Sequence, residues 1–100
     1  MSVVSATLTG SDQWTPALAV HGSDERLGPG VFDMAVDGTF DANVKLQVSY
    51  DGGATWQDTG DIVTSPSLDR GEVATSCHLR AGIKTAGDYT SGSVTVRISQ

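Results

Sequence analysis

The chain has one cysteine, three prolines and six basic residues, and it contains no long apolar run. Each shortage excludes something. A lone Cys77 rules out an internal disulfide and any cysteine-based metal framework. Six Lys and Arg, scattered singly against 12 Asp and Glu, give a net charge of −6. Phosphate backbones are bound by clustered cations, so nucleic acid is excluded as a partner. No apolar stretch approaches the roughly 20 residues that span a bilayer, and no membrane partner is expected. The opening residues, Met1 to Leu8, have neither a basic region nor a long apolar core, so no export signal is expected there. Nowhere does a window of a dozen residues repeat its apolar side chains with the helical period.

What is present is alternation. Val4, Ala6 and Leu8 alternate with Ser5, Thr7 and Thr9, and Gly10-Ser-Asp12 marks a turn. Trp14, Leu18 and Val20 share one parity with Pro16, which places that segment at a sheet edge or starts its strand after the proline. Phe32, Met34 and Val36 fall together, ahead of an Asp37-Gly38 turn. Thr59-Gly-Asp61 reads as a turn, and residues 21–30 and 65–71 read as loops. Val73, Thr75, Cys77 and Leu79 share one face of a strand, and Val94, Val96 and Ile98 share the inward face of the last one. With 38% hydrophobic and 18% charged residues, the 100 residues form one domain, residues 1–100. Its predicted class is all-β: a small antiparallel β-sandwich of about seven or eight strands, jelly-roll or immunoglobulin-like.

The sharpest local signal is Ser49-Tyr-Asp-Gly-Gly-Ala-Thr-Trp56. It follows the alternating run Val44, Leu46, Val48. Glycines accept the positive φ that a tight turn needs, and Asp51 can bond backbone two residues on. Ser49, Asp51, Gly53, Thr55 and Trp56 occupy every fixed position of Ser-x-Asp-x-Gly-x-Thr-Trp, and the stretch resembles the Asp-box hairpin of sialidases and other β-propellers. In those proteins the box is a folding unit away from the catalytic centre, so the resemblance implies architecture and not chemistry.

Catalytic and metal chemistry has few candidates. His21 falls in a loop and His78 on the polar face of a strand, pointing away from Cys77. There is no His-x-His, Glu-x-x-His or cysteine pair. Asp58 and Asp61 near Asp51 are the nearest approach to a calcium site, but they lack the alternation of acids around a glycine. Arg26, Arg70, Arg80 and Arg97 do not cluster, and no paired carboxylates stand out for glycoside hydrolysis. No enzyme activity, cofactor or metal is expected. Trp14 and Trp56 are either packing residues or platforms for stacking sugar rings.

Beyond the hairpin, the chain resembles short β-sandwich bacteriophage virion proteins. The resemblance rests on Thr7-Leu-Thr-Gly10, Gln13-Trp-Thr15, Asp37-Gly-Thr-Phe40, the hairpin Val44 to Trp56 and the closing segment Gly82 to Arg97. It implies a virion structural protein, expected to be a capsid decoration (cement) protein. Such a protein would act as a homo-oligomer, a trimer, on the major capsid protein at the capsid surface, assembled in the bacterial host cytoplasm. A neck or tail component, or a carbohydrate-binding module, are the alternatives. Val3 and Val4 at one end, and the strand of Val94, Val96 and Ile98 at the other, are the expected interface, because open sheet edges are the cheapest means of self-association.

Overall fold

The computed structural model of the protein describes residues 3–22 and 30–100. Its elements are β1 (Val3–Leu8), β2 (Gln13–Trp14), β3 (Leu18–Val20), β4 (Gly30–Ala42), β5 (Val44–Ser49), β6 (Gln57–Val63), β7 (Ser67–Val73), β8 (Cys77–Ile83), a one-turn 3-10 helix (Ala86–Asp88) and β9 (Tyr89–Ser99). The strands form two antiparallel sheets, ordered β1-β9-β4-β7 and β2-β8-β5-β6, with β3 also on β8. Among the described strands, every chain connection except β2–β3 and β5–β6 passes from one sheet to the other. With β2 and β3 counted as one strand broken around Pro16, this is the strand order of an eight-stranded jelly roll. The all-β sandwich read from the alternation is the fold, and of its two topologies the jelly roll is the one adopted.

The core follows the period-2 pattern. Phe32, Met34 and Val36 of β4, Val44 and Leu46 of β5, Leu79 and Ile83 of β8, and Val94, Val96 and Ile98 of β9 are all buried between the sheets. Each such side chain contributes about 1.5–3 kcal/mol on leaving water. Cys77 is one of these small buried groups, 6% exposed.

Several segments depart from the expected turns. Asp37-Gly38 is no turn. β4 runs through it, paired to β9 from Asp33↔Ser99 to Ala42↔Tyr89, and Gly38 sits inside the ladder at φ 118. The Asp37 carboxylate accepts the Gly38 N–H at 2.8 Å, which occupies the donor at this twisted position. Thr59-Gly-Asp61 is likewise a bulge inside β6. Lys45 pairs with Ile62 but Gln47 with Asp58, and Gly60 takes φ 95 to accommodate the extra residues. Residues 67–71, within the segment 65–71 expected to be loop, form most of β7 on the outside of β4. Their polar composition suits an edge strand, where one face and one backbone ladder meet water. Val73 ends β7 and Cys77 starts β8, so the shared face expected of Val73, Thr75, Cys77 and Leu79 is broken by a turn, with Thr75 exposed.

The proline acts through register. Trp14 pairs with Gly82, whereas Leu18 pairs with Leu79, a slip of one residue around Pro16. A one-residue slip exchanges the faces. Trp14 therefore lies on the outer face over Gly82, while Leu18 and Val20 point inward, against the shared parity expected of them. Thr15 takes the inward place at 4% exposure. Its N–H donates to the Ala81 carbonyl at 2.8 Å, and its hydroxyl accepts the Ala81 N–H at 3.1 Å.

Candidate functional site

The hairpin between β5 and β6 is closed by its own side chains, with Asp51 bonding the backbone four residues on and not the two expected. Ser49, 1% exposed, donates its hydroxyl to Asp51 Oδ1 at 2.7 Å and accepts the Gly53 N–H at 2.9 Å. Asp51 Oδ1 also accepts the Thr55 N–H at 2.9 Å, and Oδ2 accepts the Thr55 hydroxyl. Gly52 and Gly53 take φ 75 and 98, where a side chain would be strained. The Thr55 and Ser49 hydroxyls, then the Thr55 N–H, hold the Asp51 carboxyl far below the usual carboxylate range. All three groups stabilise the charged form. Asp51 is thus a carboxylate spent on its own turn.

Trp56 leaves that turn and packs on the outer face of the β2-β8-β5-β6 sheet. There the Arg80 guanidinium lies 4.3 Å from the Trp14 ring centre and 4.4 Å from that of Trp56. The cation occupies a face of each indole, a geometry in which cation–π attraction and flat stacking act together. Partial burial pushes the Arg80 pKa down, but the group stays protonated at any physiological pH. Arg80 Nε donates to Gln47 Oε1 at 3.0 Å, Gln47 Nε2 donates to Asp58 Oδ1 at 2.7 Å, and Lys84 Nζ meets Asp58 Oδ2 at 2.9 Å. The bond from Gln47, then that from Lys84, lowers the Asp58 pKa. The sequence displays Trp14 and Trp56 plainly. It does not display Arg80 as their partner, because the contact is made across strands far apart in the chain.

A third polar cluster ties the 3-10 helix to the β4–β5 crossover. Asp88 accepts the Thr85 N–H at 3.1 Å and the Thr85 hydroxyl at 2.9 Å, with Lys45 Nζ at 3.4 Å. Its carbonyl accepts the Asn43 N–H at 2.7 Å. Burial raises the Asp88 pKa, but the bonds from Thr85 and Asn43, with the charge of Lys45, outweigh it and the net shift is downward.

The predicted interface residues separate into two groups. Val3 is 52% exposed on the edge strand β1, and Val4 is partly buried against the core. Val94, Val96 and Ile98 are 0% exposed. β9 lies between β1 and β4, so both of its hydrogen-bonding edges are already used. The expectation that β9 offers an edge is corrected: it is the middle of its sheet, and its apolar face is core. The open edges among the described strands are β1 and β7 in one sheet, and β2, β3 and β6 in the other. Exposed aliphatic groups accompany three of them: Val3 on β1, Ile62 (55%) on β6 and Leu68 (77%) on β7.

Elsewhere, His21 is exposed, with its N–H and carbonyl bound by the Gln100 side-chain amide at 2.7 and 2.9 Å. His78 lies partly buried on the outer face of β8, opposite Ser49. Asp24, Glu25 and Arg26 lie outside the described residues. Among the described residues no group of three or more His, Cys, Asp or Glu side chains gathers as a metal site would require. Asp51, Asp58 and Asp61, the candidates for calcium, each hold a separate partner, Asp61 accepting the Thr59 hydroxyl at 3.3 Å. No helix of the described residues is long and apolar enough to cross a membrane.

No protein-family model and no curated protein matches the chain. Among solved structures, a chain from the Bacillus endospore appendages described as a novel family of disulfide-linked pili is similar over 97% of this chain and 82% of its own. The two are 17% identical, with a TM-score of 0.39.

Proposed function

We propose that this chain is a structural, non-enzymatic subunit of a bacteriophage virion: a capsid decoration protein that docks on the assembled head and stabilises it. The observation that carries the reading is the set of open strand edges β1, β6 and β7, each bearing an exposed aliphatic side chain. Unpaired backbone ladders beside Val3, Ile62 and Leu68 are what a subunit buries against neighbours. The polar groups agree with it. Asp51, Asp58, Asp88, Arg80 and Lys84 are engaged in bonds that fix the fold. The jelly roll is used by viral capsid and lectin domains alike.

The mechanism is mass action. A protein that binds the assembled shell and not its separate parts stabilises the shell by its binding free energy. Homo-oligomers, a trimer in this reading, multiply a modest contact with the major capsid protein by symmetry. Counting copies per particle by quantitative mass spectrometry tests the role. Decoration requires copies on the order of the capsomers; about a dozen would place the protein at the neck or tail instead. Particles lacking it should form but release DNA at a lower temperature, and unchanged heat resistance would defeat the decoration role. The carbohydrate-binding alternative predicts glycan-array binding that Trp56→Ala abolishes.

A further inference from the structure

The two sheets do not close evenly. β6 pairs only with β5, and β7 only with β4, so both present an open edge on the same side of the sandwich. Between them lie two hollows of about 290 and 330 Å³, which share Phe32, Leu46, Asp61 and Gly71 and so form one continuous cleft. Its floor is the apolar core itself. Its walls are the two free backbone ladders, about the place where one further strand would fit.

The charges at this mouth are one-sided. Asp61 of β6 and Asp69 of β7 line it, and among the described residues neither has a cationic partner, while Glu72, opposite Val31, stands on the outward face of β7. Asp61 and Asp69 accept only the hydroxyls of Thr59 and Ser67, at 3.3 and 3.2 Å. Arg70, the one cation in the lining, is already held by Asp33 at 3.0 Å. Asp69 pairs with Met34, whose side chain is in the core, so Asp69 stands on the inward side of an edge strand. An inward charge and a bulge, here at Gly60, are devices that stop edges from pairing with copies of themselves. A second copy of a chain with net charge −6 would add acid to acid.

We propose that this cleft takes an extended segment of a partner protein, apolar at alternate positions and flanked by Lys or Arg, which adds as a strand to β6 or β7. Main-chain bonds to the free ladder supply affinity, and alternate side chains descending onto Phe32 and Leu46 supply register. The basic flanks pair with Asp61 and Asp69 and set orientation and specificity. The inference deepens the decoration reading, resting on it only for what the partner is; the cleft and its charge stand independently.

The test uses the whole protein, labelled with ¹⁵N, and two peptides of about eight residues with alternating Val and Thr, one ended by Lys and one by Glu. The Lys-ended peptide should shift the amide signals of Ile62, Val63, Asp69 and Gly71 and bind about tenfold or more tighter than the Glu-ended one at low salt. In the folded double variant Asp61→Asn, Asp69→Asn most of that preference should vanish. Equal binding of both peptides, shifts confined to β1 or the outer face, no shifts at all, or self-association through β6 and β7 would each overturn the proposal. A copy number incompatible with decoration would leave these results untouched, so the two readings fail separately.

Discussion

Phe32 lies over Gly71. The two are cross-strand partners on β4 and β7, and a Cβ at residue 71 would fall 2.5 Å from Phe32 Cζ. The ring covers a stretch of edge strand that has no side chain of its own, at the floor of the β6–β7 cleft. Gly71→Ala must push the ring aside, which should cost about 1–3 kcal/mol in urea unfolding. Combining it with Phe32→Leu should cost clearly less than the sum of the two single changes, since the smaller side chain relieves the clash. Additive losses would show that the pair does not interact.

Acid should expose the role of Asp51. Its carboxyl sits below the ordinary value of 3.8 in the folded protein because Thr55 and Ser49 donate to it. A carboxylate whose folded pKa is depressed adds stability that is complete above the unfolded value and is lost as pH falls through the folded one. Asp58 and Asp88 shift in the same direction and add to the acid limb. The melting temperature should therefore fall steeply below about pH 4, and less steeply in Asp51→Asn, which does not titrate there. Parallel pH curves for the two proteins would remove Asp51 from the explanation.

Arg80 should not be replaceable by lysine. A guanidinium is flat and stacks on both Trp14 and Trp56 while Nε reaches Gln47, whereas an ammonium is a point charge that does neither fully. Arg80→Lys and Arg80→Ala should both lose about 1–2 kcal/mol and shift tryptophan emission to longer wavelength as the rings meet water. Wild-type emission in Arg80→Lys would mean that charge alone suffices.

Asp88 should be among the costliest polar residues to truncate. Its side chain is 11% exposed and serves Thr85 and Lys45, while its carbonyl holds Asn43 at the crossover between the sheets. Asp88→Ala should cost about 2–3 kcal/mol in chemical denaturation, the scale of lost charge-assisted bonds. Asp61→Ala, whose carboxylate accepts only the exposed Thr59 hydroxyl, serves as the control and should stay within about 0.5 kcal/mol.

Where the sequence was legible, the information was local. Alternation at Phe32, Met34 and Val36, at Val44 and Leu46, and at Val94, Val96 and Ile98 marked side chains that are buried in the fold. The box from Ser49 to Trp56 closes through bonds spanning at most four residues, so the turn's place was legible, while the bond of Asp51 reaches Thr55 and not the residue two on. Glycine misled for a physical reason. Gly38 and Gly60 carry the positive φ of a turn, yet each is a bend or bulge inside a ladder that a long-range partner strand keeps intact.

By itself the sequence determined that the protein is an all-β sandwich, which side chains of most strands face inward, and where one hairpin turns. Tertiary structure alone decided which strands are edges. Period 2 tells a residue its face but says nothing of the neighbour beyond its backbone, and that neighbour is chosen by contacts distant in the chain. Hence β9, apolar and terminal, is the centre of a sheet, while polar β7 is its rim. Arg80 between Trp14 and Trp56, and the acidic mouth of Asp61 and Asp69, exist only because the jelly roll brings separate strands together.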